Sequence, residues 1–224
     1  MSKSSRKEGT VENGEAGGRD MPETGRSTTT KTTSIAHDDT GTHVDSRTGQ
    51  GNMYKLAAGQ WNPFVGCEFD CIYCGPSFQK NAKRRRKACE ECYQYTPHEH
   101  PERLELRPSR TGYGQFIFTC SHGDVSFCSD DFLRLMVARI RELPDRTFLL
   151  QSKDPATFAR IDKWPANVIL GTTIETNRDD LCAKASKAPP PSKRHANLMA
   201  INHPTKMVTI EPVMDFDLDT LVGW

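Results

Sequence analysis

The chain has 224 residues, 35% of them hydrophobic, and a formal net charge of +1, with a mean hydropathy of −0.66. That length admits one large domain or two small ones. The balanced charge gives no global pull toward nucleic acid or a membrane surface, and no apolar run reaches the ~18 residues that a bilayer span needs.

Residues 1–52 contain no Phe, Trp, Tyr, Cys or Leu, and only Val11, Ile35 and Val44 as branched aliphatics. Runs such as "GRSTTTKTTS" cannot bury enough apolar surface to offset the entropy of ordering them. Residues 1–52 therefore read as a disordered tail and 53–224 as the folded part. The N-terminus lacks an apolar secretory core, which predicts a cytoplasmic protein with no membrane partner, where disulfides rarely persist. All eight cysteines lie between 67 and 182, five of them between 67 and 92. In a reducing compartment such clustering points to metal before it points to bridges.

After the tail, "KLAAGQWNPFVG" contributes one strand and leads into "GCEFDCIYCG", with Cys67, Cys71 and Cys74. A basic insertion over about 75–105 carries "KRRRK" (Lys83–Lys87), Cys89, Cys92, His98 and His100. Regular alternation starts near residue 115. "QFIFTC" is rich in aromatic and β-branched residues and reads as a strand. In "SDDFLRLMVARIREL", Ser129 or Asp130 is a fitting N-cap, and Leu133, Met136, Val137 and Ile140 form the stripe of an amphipathic helix. "RTFLLQS" is the next strand, and Asp154 with Pro155 opens a short helix. "NVILGTTIE" is a strand, "RDDLCAKASK" and "SKRHANLMAIN" are helical on either side of Pro189–Pro191, "KMVTIEPV" is a strand, and "DLDTLVGW" begins a last helix. Strands alternating with helices predict a parallel sheet with crossover helices.

Polar residues gather at the C-terminal ends of these strands: Ser121, His122 and Asp124, then Gln151, Ser152 and Lys153, then Glu175, then Glu211. That edge is where barrels and open α/β sheets bind ligands, although any strand end meets a polar loop.

Cys67-x3-Cys71-x2-Cys74 puts three thiols on one tight loop. Iron–sulfur clusters are held by Cys thiolates, four for a fully protein-ligated cubane, so three leave an open position. Here "CEFDCIYC" matches the CxxxCxxC loop of the radical SAM superfamily, which the chain resembles, and Tyr73 fits the aromatic residue before the last cysteine. "WNPFVGC", "FIFTCSHGDVSF", "FLLQSKDP", "VILGTTIETN" and "VTIEPVMDF" are similar, in that order, to the blocks of an uncharacterised phage-associated branch, over about residues 60–216. The resemblance implies an α/β fold, a partial TIM-type barrel. It also implies a 4Fe-4S cluster on the three cysteines, S-adenosylmethionine on the open iron, an electron donor such as flavodoxin or ferredoxin, and a 5′-deoxyadenosyl radical acting on an unidentified substrate. Carried onto this sequence, Ser121 and Asp124 meet the methionine end of the cofactor, Glu175 the ribose, the backbone around Glu211 the adenine, and Lys153 the substrate side. The superfamily's usual Gly-Gly-Glu is replaced here by Ser-His-Gly-Asp. About five strands are counted against a usual six, and the chain stops at Trp224 inside a helix, so a barrel cut short at the C-terminus, and inactive as such, is expected.

Cys89-x2-Cys92 complicates this reading. With Cys71-x2-Cys74 it has zinc-ribbon spacing, and "KRRRK" would then contact nucleic acid. This binding-protein alternative leaves Cys67 without a role and the β/α portion unexplained. A combined arrangement keeps the cluster on the first three cysteines and makes Cys89, Cys92, His98 and His100 a separate zinc set. Two reduced cysteines beside two loop histidines is the bland counterpart. "KRRRK" beside an active site would also suit a nucleic-acid substrate. Cys120, Cys128 and Cys182 read as buried thiols, and His122, His195 and His203 as isolated.

Overall fold

The central strands are near-continuous apolar runs, and their two faces bury against different partners. A computed structural model describes residues 54–75, 79 and 87–224. The expected disordered tail lies outside the described residues, as does the KRRRK run except Lys87. Five strands form one sheet: β1 (Ala57–Trp61), β4 (Phe116–Thr119), β5 (Phe148–Gln151), β6 (Val168–Thr173) and β7 (Lys206–Thr209). They lie side by side in that order and every pairing is parallel. The order never reverses, unlike that of a doubly wound sheet. Among the described residues the sheet is open, with β1 and β7 at its edges.

One face carries Ile117, Phe148, Leu150, Val168 and Leu170 and packs against the helices in the main core. Helix α2 (Asp130–Arg141) supplies Phe132, Leu133, Met136, Val137 and Ile140 to that core, and its cap is the Ser129 hydroxyl, which accepts from Phe132 N at 3.2 Å. Each such side chain contributes roughly 1.5–3 kcal/mol by leaving water, and the cap about 1 kcal/mol. The other face carries Ala57, Phe116 and Leu149 with Phe118, Ile169 and Met207 against them, and no helical residue joins that cluster. Because every pairing is parallel, the C-terminal ends of all five strands lie at one shared edge.

The connections follow the sequence closely. Asp154 caps the segment after β5, accepting from Ala156 N at 3.3 Å, but Pro155–Arg160 is a 3-10 helix. Helices α3 (Asp179–Ala185) and α4 (Pro191–Ala200) fall on either side of the proline run, with Pro191 in the first turn of α4, where its missing N–H is not needed. A last short helix spans Leu218–Val222. The insertion after the cysteine loop is more structured than its sequence suggests. It contains helix α1 (Glu90–Gln94) and strand β3 (His98–Glu99), which pairs antiparallel with β2 (Phe64–Val65).

Candidate functional site

The loop from Gly66 to Gly75 begins where β2 ends, and two glycines fix its start. Gly66 and Gly123 face each other across an isolated bridge, with Gly66 N donating to the His122 carbonyl at 3.0 Å and Asp124 N to the Gly66 carbonyl at 3.1 Å. A Cβ on Gly123 would stand 2.7 Å from Gly66 N and O, and one on Gly66, whose φ is +97°, would stand 2.3 Å from the Thr96 carbonyl oxygen. Only glycine fits either position. The loop then lies against α3: Ile72 N donates to the Ala185 carbonyl at 2.9 Å and Lys187 N to that of Phe69 at 2.8 Å.

Cys67, Cys71 and Cys74 all line one cavity of about 300 Å³ at the C-terminal edge of the sheet. Its volume sits at the lower end of the range for small-molecule pockets. Tyr73, Tyr95, Phe118 and Pro212 give it aromatic and apolar walls, and Gln151, Lys153, Thr173, Thr209 and Glu211 give it polar groups. The Cys71 thiol lies 3.0 Å from the Ser186 hydroxyl. Burial, with the nearby Asp124 carboxylate next in effect, pushes the Cys67 thiol well above its usual range.

The strand-end residues divide into ligand-facing and loop-holding groups. Ser121 and Asp124 line the cavity, but both are committed to the protein. Ser121 donates to the Asn62 side-chain carbonyl at 3.0 Å, which also takes His122 N at 3.1 Å. Asp124 Oδ1 accepts from Ser126 N (3.0 Å), Ser126 Oγ (2.8 Å) and Ser152 Oγ (2.6 Å), and Oδ2 from Lys153 N (2.8 Å). The carboxylate expected to receive a ligand ammonium therefore joins the ends of β4 and β5.

Glu175 departs further from expectation. It is fully buried beneath the cavity and is not part of its lining. Tyr73 donates its hydroxyl hydrogen to Oε1 at 2.5 Å, Lys153 Nζ reaches Oε2 at 3.1 Å, and Arg194 spans both oxygens at 2.7 and 3.4 Å. Burial alone would raise this carboxyl, but the Lys153 ammonium and the Arg194 guanidinium outweigh it and hold it at about 2. With its oxygens occupied, Glu175 anchors Tyr73, and so the cysteine loop, to the end of β6. Lys153 lines the cavity while its Nζ also lies 3.0 Å from the Tyr73 hydroxyl oxygen. The Tyr73 phenol is pushed up by burial and by the adjoining carboxylate. Glu211 is exposed at the rim.

A second group converges beside the first. The ligand atoms of Cys89, Cys92, His98 and His100 all lie within 4.8 Å of one another and could hold a metal ion. Cys89, His98 and His100 border a cavity of about 490 Å³ with Glu91, Glu99, Glu102 and Arg103. Cys71 and Cys74 are not in this group, so the four thiols of the ribbon alternative are not grouped around one point; His98 and His100 stand beside Cys89 and Cys92 instead. All eight cysteines are free thiols, and Cys120, Cys128 and Cys182 are buried as expected, with Cys120 also touching the main cavity.

Several contributors have no sequence motif. Asn62, Tyr95, Glu102 and the wholly buried Arg194 are the main ones. For Arg194 a signal existed: it stands at i+3 from Pro191 and i−4 from Leu198, both buried on α4, so it lies on the apolar stripe.

The architecture defines an α/β protein with a singly wound parallel sheet, a thiol-lined cavity at its C-terminal edge and a separate Cys/His group beside it. The chain belongs to the DUF5131 family, proteins of unknown function, whose family model matches residues 54–221. No curated protein and no solved structure matches it. No helix among the described residues is long and apolar enough to cross a membrane.

Proposed function

We propose that this chain is a radical S-adenosylmethionine enzyme built on a partial TIM-type barrel, with a 4Fe-4S cluster on Cys67, Cys71 and Cys74. The observation that carries this reading is that three thiols of one short loop line a single cavity at the ligand-binding edge of a parallel sheet. The donor set fits the group: three thiolates serve three irons and leave the fourth for a ligand other than cysteine. When bound and reduced by one electron, such a cluster with S-adenosylmethionine supplies a 5′-deoxyadenosyl radical that abstracts hydrogen from a substrate.

The chain's own residues have separate tasks in this reading. The Gly66–Gly123 contact and the Tyr73–Glu175 bond hold the cysteine loop at both ends. The Ser186 hydroxyl beside Cys71 tunes a cluster sulfur, since hydrogen bonds to sulfur shift the potential. Tyr95, Phe118 and Pro212 exclude water from the cavity. Glu211, exposed at the rim, is the carboxylate left for a ligand's cationic group, in place of the committed Asp124. Zinc is the ion this reading assigns to Cys89, Cys92, His98 and His100, because two thiolates and two imidazoles form a common closed tetrahedral set.

Anaerobic reconstitution with iron and sulfide tests the proposal. The expected product is a brown protein that, with dithionite and S-adenosylmethionine, yields 5′-deoxyadenosine. A variant with Cys67, Cys71 and Cys74 all changed to Ala should stay colourless. Equal iron uptake by that variant, or none by the parent chain, would overturn the reading.

A further inference from the structure

The second group turns two imidazoles and two thiols toward one point. His98 Nδ1 lies 2.7 Å from the Thr96 carbonyl oxygen and His100 Nδ1 lies 2.8 Å from the Glu102 carboxylate. Both partners accept, so each Nδ1 donates outward and each ring turns its Nε2 toward the two thiols. Those two Nε2 atoms are 2.8 Å apart. A shared proton could bridge that pair alone, but two thiols converge on the same point, which is the donor set of a metal ion. Three further gaps are short: Cys89 Sγ and Cys92 Sγ each lie 3.3 Å from His98 Nε2, and Cys92 Sγ lies 3.2 Å from His100 Nε2. Four ligands this close would enclose one zinc ion tetrahedrally and leave it no open position, as in a structural site. The Thr96 carbonyl and Glu102 carboxylate are the outer partners that orient ligating histidines.

The segment between these ligands reaches the main cavity through Tyr95. The Thr96 carbonyl oxygen that receives His98 is the atom against which Gly66 is pressed, where even a Cβ would come within 2.3 Å. Tyr95, between Cys92 and Thr96, ends α1 in a left-handed conformation (φ 63°) and lines the cavity. His100 N donates to the Pro63 carbonyl at 2.7 Å, and Arg103 donates to that of Asn62 at 2.8 Å. Asn62 in turn positions Ser121 and His122.

We propose that zinc held by Cys89, Cys92, His98 and His100 is a clamp that shapes the thiol cavity, fixing Tyr95 in its wall and the Thr96 carbonyl against Gly66 at the root of the cysteine loop. The proposal rests on the zinc assignment above and is independent of the radical chemistry. With the ion removed, the facing imidazoles separate, β3 loosens from β2, and the Gly66–Gly75 loop and the Ser121–Asp124 turn lose their common support.

The test uses the full chain with Cys67, Cys71 and Cys74 changed to Ala, so that no iron–sulfur ligand remains. This variant should still bind one equivalent of zinc and, with cobalt(II) instead, give the absorption of a tetrahedral site with two thiolates. Adding Glu102→Gln should weaken zinc binding about 10- to 100-fold with little change in the metal-free protein. Amide hydrogen exchange in residues 63–75 and 120–124 should be slower with zinc than after chelation. Failure to bind zinc or cobalt would overturn the zinc assignment and the clamp with it. Zinc binding with unchanged exchange in both segments would overturn the clamp alone.

Discussion

Glu175→Gln tests whether the buried carboxylate is a structural anchor. The fully buried group is held at about 2 against its usual 4.5, with burial opposing and Lys153 and Arg194 prevailing. At about 1.4 kcal/mol per factor of ten in proton affinity, folding favours the ionised form by about 3 kcal/mol. The amide mimics the neutral form and leaves the wholly buried Arg194 facing an uncharged partner, for which the general cost is about 3–5 kcal/mol. Because the folded value is depressed, this stability is fully present above pH 4.5 and is lost as pH falls from 4.5 toward 2. Urea unfolding followed by tryptophan fluorescence, with metal content held fixed, should therefore show the variant about 3 kcal/mol less stable at pH 7. The gap should narrow through that acid window. A gap under about 0.5 kcal/mol at pH 7, or one that stays constant down to pH 2, would refute the reasoning.

Asp124→Asn replaces an acceptor with a donor where four donors converge, so it should cost at least about 2 kcal/mol. Thermal unfolding should register this as a fall of about 4–8 °C for a domain of this size. Gly66→Ala should abolish the native loop, because its Cβ meets the Thr96 carbonyl oxygen at 2.3 Å, whereas Gly59→Ala, whose Cβ would lie 3.7 Å from Ile117 Cδ1, should fold normally; comparing their soluble yields and circular dichroism checks both. Tyr73→Phe removes the donor to Glu175 and the acceptor for Lys153. It should cost about 1–2 kcal/mol in urea unfolding and speed proteolysis of the cysteine loop.

Much of this arrangement was legible in the sequence because its causes are local. The stripe Leu133, Met136, Val137 and Ile140, the caps at Ser129 and Asp154, and the β-branched runs each specify an element within a dozen residues. All the main strands and helices expected after residue 115 are present. The alternation also located the polar strand ends at one edge of the sheet. The insertion was less readable: β2 and β3 are two residues each, and Phe64 and Glu99 pair across 35 positions of sequence, so no local period announces them.

The roles of the strand-end carboxylates depended on donors that arrive from elsewhere in the chain. Asp124 is filled by Ser152 and Lys153 from the next strand end, and Glu175 by Tyr73, Lys153 and Arg194. A carboxylate at this edge either receives a ligand or ties two loops together, and the number of protein donors aimed at it decides which. In sequence all three acids look alike, each within a few residues of the end of a β-rich run. The distinction enters only when parallel pairing brings β5 between β4 and β6, delivering Lys153 to both neighbours at once through its backbone N–H on one side and its ammonium on the other. Replacing the Lys153 side chain would therefore loosen the Glu175 anchor while its backbone N–H still held Asp124, and Glu211, exposed beyond the end of β7, is the carboxylate at the cavity rim.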